Sequence, residues 1–117
     1  GPISKGVTHF DFLLIFGDFR VICEVDGDHH FWSDHKWYTE DACGRDLLKE
    51  KWAVSQGISV IRVLQRDVWH DRNDWRGWLT RSIQAASDGN ARVIVPDIKE
   101  YTDPEKSSYA ALRAASA

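Results

Sequence analysis

Two apolar runs broken by a turn pair open the interpretable part of the chain. Thr8 to Phe16 (THFDFLLIF) is aromatic and β-branched apart from one acid, Asp11. Gly17-Asp18 follows, and Phe19 to Val25 (FRVICEV) resumes the apolar pattern until Asp26-Gly27 stops it. Two such runs around a two-residue Gly-containing link predict a tight antiparallel hairpin. Asp28 to Tyr38 is polar and aromatic without a period and reads as loop. Thr39, Glu40 and Asp41 then mark a helix start, with acids at the positive end of the helix dipole. The helix should run to about Gln56 and stop at Gly57, with Leu47, Leu48, Trp52 and Val54 on its buried side. Ile58 to Leu64 (ISVIRVL) is short and almost wholly apolar, which predicts a strand covered on both faces. A second helix is expected over Asn73 to Ala86, carrying Trp75, Trp78, Leu79 and Ile83, with Asp88-Gly89 as its stop. Arg92 to Val95 reads as one more short strand, and 97–117 as a terminal helix or loose tail.

That order, strand, strand, helix, strand, helix, fixes a fold class. A strand–helix–strand crossover makes a parallel pair, and the preceding hairpin adds an antiparallel neighbour. The expected fold is therefore α/β, a central mixed β-sheet flanked by helices. At 117 residues the chain suits one domain, residues 1–117, able to bury a core without staples. Residues 1–7 read as linker, with Gly1-Pro2 resembling the scar of a protease cleavage, so the domain is expected to come from a larger protein. No run of 18 apolar residues is long enough to span a membrane. Two cysteines, Cys23 and Cys43, make no disulfide framework. Cys23, inside an apolar run, reads as a small buried hydrophobe. A reducing compartment is expected, cytoplasmic or in the nucleoid or nucleus rather than outside the cell. Fifteen Lys and Arg against 18 Asp and Glu leave a formal charge of -3. That balance excludes binding to nucleic acid by bulk attraction but permits a local basic surface beside an acidic site.

The chemistry lies in where the acids fall. Asp11 interrupts an apolar strand, and Glu24 and Asp26, two apart at the end of the next, point to one face. A hairpin turning at Gly17-Asp18 pairs residue i with about 35 minus i, which sets Asp11 opposite Glu24. Three carboxylates on one face at one end of a sheet repel each other, the more so when buried, and call for a compensating cation. Magnesium, with its preference for oxygen ligands, is the natural candidate. A lone acid at a strand end is ordinarily a solvated edge residue; a convergence of three is not. His29 and His30 follow within four residues of Asp26, and a histidine beside a metal can move a proton near neutral pH. His30 is the residue expected to do so. On the first helix Asp46, Lys49 and Glu50 share a face. Lys49 and Glu50 fit a salt-bridged solvent face as well as a functional one. Arg45, Lys49 and Lys51 are positioned to meet phosphates.

The set Asp11, Glu24-Val25-Asp26-Gly27, His30, Asp46-x-x-Lys49, and Gly57 before ISVIRV resembles the very-short-patch-repair (Vsr-like) endonucleases. These form a branch of the restriction-endonuclease-like, PD-(D/E)XK superfamily that includes phage homing endonucleases. The resemblance covers about residues 8 to 70. It implies a restriction-endonuclease-like sheet and magnesium-dependent hydrolysis of a DNA phosphodiester, with manganese able to substitute. It implies metal ligation by Asp11, Glu24, Asp26 and the Val25 carbonyl, and catalytic roles for Asp11, Glu24, Asp26, His30, Asp46 and Lys49. The lysine of the (D/E)-x-K motif is absent, with Asp26 in its place, either to bind metal or to steer water. DNA is the implied partner, met either by a homodimer or with a further DNA-binding domain of the full-length protein; repair and intron homing are the roles such enzymes serve.

Two other classes compete. One is a nucleic-acid-binding module of the same fold that does not cut; retention of the acids argues against it. The other is a zinc-stabilised interaction domain using His29, His30, His35 and Cys43, whose spacing matches no paired-ligand signature. Of the six tryptophans, Trp52, Trp75 and Trp78 fall on helices with apolar companions and are expected in the core. Trp32 and Trp37, in the loop, are better placed to touch DNA.

Overall fold

The computed structural model describes residues 10–27, 31 and 40–115. They form a four-stranded mixed sheet with helices on both faces, the coarse α/β class that the element order predicts. Strand β1 (Phe12–Phe16) and β2 (Phe19–Asp26) are an antiparallel hairpin in the expected register, Phe12 opposite Cys23 and Phe16 opposite Phe19. Gly17 takes φ +57°, the left-handed value that a two-residue hairpin loop asks of its first residue. Helix α1 (Glu40–Ser55) ends short of Gly57, whose φ of +77° turns the chain into β3 (Ser59–Leu64). β3 lies parallel to β2, Glu24 level with Arg62, and all six of its residues are buried.

A five-residue helix α2 (Gln65–Trp69) follows directly, an element too short to leave a period in the sequence. Helix α3 (Trp75–Ala86) starts after Asp71, Asn73 and Asp74, which all hold positive φ. β4 (Val93–Ile94) closes the sheet in the order β1-β2-β3-β4. The stretch expected as a helix or loose tail is two helices, α4 (Lys99–Thr102) and α5 (Ser108–Ala115). It is no loose appendage, because Tyr101 and Tyr109 are buried in the core.

Side-chain alternation sorts the sheet into two layers. Ile22 and Val60 pack with Ala53 and Trp52 of α1, while Val21 and Ile61 pack with Trp78, Leu79, Ile83 and Ala86 of α3. A third cluster joins Phe31, Leu47, Leu64, Tyr101 and Tyr109 beside α1. Leu48 departs from expectation: it is exposed, because Leu47 and Glu50 take the inward positions of that turn. Trp52, Trp75 and Trp78 are half-buried rather than fully enclosed. The hairpin edge is apolar and open, with Phe12, Leu13, Ile15 and Phe16 all exposed. No helix among the described residues is long and apolar enough to cross a membrane.

Candidate active site: an acidic pair beside a buried arginine

The hairpin register sets Asp11 beside Glu24, one step beyond the last pair, Phe12 with Cys23. Odd-numbered residues of β2 turn their main-chain N–H and C=O toward β1, and β1 ends before it can serve Val25. The Asp11 side chain fills that place: Val25 N–H donates to Asp11 Oδ2 at 2.8 Å. The Val25 carbonyl faces the same open edge. Asp11 is exposed, whereas Glu24 is 6% exposed. Glu24 and Asp11 stand side by side, and the neighbouring Asp11 carboxylate favours the protonated form of Glu24. Burial foremost, aided by Asp11 and opposed by Lys49 and Arg62, lifts the Glu24 pKa to about 7. Its Oε1 is buried without a hydrogen-bond partner; Lys49 Nζ stands 3.6 Å away, too long for a hydrogen bond.

Asp26 lies on the face expected of it but belongs to a different arrangement. Arg62, 1% exposed, rises from the middle of β3 and spreads its guanidinium among acids. It donates to Asp26 Oδ1 at 2.7 Å, to Glu50 Oε2, and to Asp46 Oδ2 at 3.4 Å. Tyr101 donates to Asp26 Oδ2 at 2.8 Å and Tyr109 to Glu50 Oε2 at 2.7 Å. Burial, then the adjoining Asp26 and Glu50 respectively, pushes both phenols up and keeps them protonated donors. Burial alone would drag the arginine's pKa down, but Asp26, Glu50 and Asp46 outweigh it and hold it above its ordinary value. The cation facing Asp26 is Arg62, and the two Asp26 oxygens accept from Arg62 and Tyr101, contacts that Asp11 and Glu24 do not share. Among the described residues no three of His, Cys, Asp and Glu are grouped to hold a metal.

Asp46 and Lys49 do come to the site from α1. Asp46 stands between Arg62 and Lys49, whose Nζ is 3.9 Å from Asp46 Oδ1, and Lys49 leans over the Phe10 ring. Glu50, which the sequence left between a solvent face and a function, is 4% exposed and belongs to the arginine cluster. His29, His30, His35, Trp32 and Trp37 lie outside the described residues. Cys43 of the zinc alternative is buried on α1, and Cys23 is buried as expected, its thiol pushed up to about 11 by burial and the neighbouring acids.

Sequence reasoning missed Arg62, Tyr101 and Tyr109. Arg62 had a signal, a single charge inside ISVIRVL that mirrors Asp11 in its own apolar run; the tyrosines had none. Among the described residues, Lys49 stands beside Glu24 and Asp46, Arg62 beside Asp26, Asp46 and Glu50, and Arg113 3.8 Å from Glu50.

The Asp11–Glu24 end fits a magnesium ion, which commonly takes one or two carboxylates and fills its remaining positions with water or substrate oxygens. The observation that speaks for the fit is the orphaned Glu24 Oε1 beside the open Asp11 carboxylate. No protein-family model matches this chain, and neither a curated protein nor a solved structure does.

Proposed function

We propose that this chain is a metal-dependent endodeoxyribonuclease with a restriction-endonuclease-like fold, whose site is Asp11, Glu24 and the Val25 carbonyl. The observation that carries the reading is a buried glutamate with an unsatisfied oxygen, pressed against an exposed aspartate at the rim of the sheet. Such a pair is costly to keep unless a cation relieves it. Bound there, magnesium would stabilise charge growing on a phosphodiester and make an attacking water more acidic.

The chain's own residues supply the rest. Asp11, held by the Val25 N–H, keeps its carboxylate at the edge where a phosphate backbone can approach. Glu24, deprotonated once a cation is present, contributes the enclosed oxygen. Lys49 sets a positive charge beside Glu24, where it can meet a phosphate oxygen and screen the acid pair. Asp26 is a positioning residue: with Tyr101 it fixes Arg62, which in turn fixes Glu50 and Asp46 beneath the site. His30, four residues past Asp26, remains the proposed carrier of the proton.

Supercoiled plasmid incubated with the protein, with and without magnesium or manganese, tests this. Nicked or linear product should appear only with metal and should be lost in Asp11→Asn and Glu24→Gln. Product that forms equally in a chelator, or in Asp11→Asn, refutes the reading.

A further inference from the structure

Around the carboxyl ends of β2 and β3 lies a cleft of about 320 Å³, lined by Gly27, Gln65, Arg66, Trp69 and His70. In open α/β sheets the ends of the parallel strands are where ligands settle, because the following loops diverge there. Trp69 is 80% exposed at the end of α2 and has no aromatic partner among the described residues, although an indole is ordinarily covered at least in part. An exposed tryptophan alone is unremarkable; the composition of the wall around it is what carries weight. Gln65 brings an amide that can both donate and accept, and His70 an imidazole. Arg66 brings a guanidinium that lines the cleft while keeping its ion pair with Glu100. Gly27 leaves one wall without a side chain. Flat aromatic surface, an amide of mixed hydrogen-bonding sense and a guanidinium are the groups that receive a nucleobase and its phosphate. The cleft between α1 and β4 also carries cations, Lys51, Arg92 and Arg113, but its lining has neither an aromatic ring nor a side-chain amide.

The position is as telling as the lining. Gly27 is two residues beyond Val25, roughly 7 Å along the strand. A nucleotide held here would lie at the same end of the sheet as Asp11 and Glu24.

We propose that this cleft is a subsite for one unstacked base of DNA, with the Trp69 indole as its stacking platform. The proposal rests on the reading of the chain as a DNA hydrolase, and narrows the substrate to DNA that presents an unpaired or extruded nucleotide near the cut. Stacking one base on an aromatic ring changes affinity by roughly tenfold or more.

The test is fluorescence anisotropy in a chelator, so that no cleavage intervenes. The probes are a labelled perfect duplex, the same duplex with one unpaired base, the single strand, and an RNA strand of the same sequence. Wild type should bind the unpaired-base duplex and the single DNA strand more tightly than the perfect duplex. Trp69→Ala should lose roughly tenfold and with it that preference, while Trp69→Phe keeps most of both. Because Trp69 is so exposed, its variants should melt with wild type, which a thermal scan verifies. Equal binding by Trp69→Ala with wild-type binding intact overturns the subsite and leaves the hydrolase reading standing. Dependence on Trp69 with RNA alone overturns the assignment to DNA. A wild-type protein that binds none of the DNA probes removes the DNA reading and the subsite together.

Discussion

Replacing Glu24 with glutamine should stabilise this protein, and only above a definite pH. An unfolded glutamate releases its proton near 4.5, whereas the folded Glu24 keeps it until about 7. Between those values the folded state binds the extra proton, so stability falls as pH rises. The favourable contribution is complete below 4.5 and gone once the pH has passed 7. Each pKa unit is worth about 1.4 kcal/mol, giving a penalty of about 3 kcal/mol on ionised Glu24. The side chain is 8% exposed, so solvent screens little of it. Glutamine has nearly the same shape and does not titrate, so it stands in for the protonated acid at every pH. Urea unfolding followed by tryptophan fluorescence should therefore show the two proteins equally stable at about pH 4 and the variant ahead by about 3 kcal/mol at about pH 8. In a domain of this size that is a midpoint difference of roughly 10 °C. Other titrating groups are common to both proteins and cancel. Magnesium at the higher pH should raise wild type toward the variant, since a ligand that binds only the folded state adds to its stability. An offset that is the same at every pH, or no offset at about pH 8, refutes the account of Glu24.

The remaining predictions concern the groups around it. Arg62→Met leaves Asp26, Glu50 and Asp46 buried without their shared cation and should cost about 3–5 kcal/mol in a urea titration, if the chain folds at all. Tyr101→Phe strips one donor from a buried carboxylate and should cost about 1–3 kcal/mol, with the far-ultraviolet circular dichroism unchanged. Lys49→Ala removes the strongest force holding the Glu24 pKa down, so the fall of stability with pH should extend above 7.

How much of this was legible beforehand depended on whether the cause was local. The hairpin could be read to the residue because a two-residue loop fixes the register, and that register alone brought Asp11 beside Glu24. α1 and β3 were legible for the same reason: Gly57 ends one and the apolar run defines the other. The face of Asp26 was legible, but its partner was not. Which cation answers a buried acid depends on the parallel register of β2 on β3, set by a crossover of more than thirty residues. Tyr101 reaches Asp26 across 75 positions of sequence, and no periodicity encodes such a contact. α4 and α5 were obscure because polar, Pro- and Ala-bearing sequence hides the two tyrosines that anchor them.

The central claim is that Asp11 and Glu24 form a two-carboxylate metal site and that Asp26 is no part of it. Titration of the protein with manganese, followed by electron paramagnetic resonance, tests this most directly, because bound and free ion are counted without any need for activity. Wild type should take up one ion; Asp11→Asn and Glu24→Gln should each lose it; a folded Asp26→Asn should keep it. Manganese that fails to bind wild type, or that binds undiminished after both Asp11 and Glu24 are neutralised, would contradict the account.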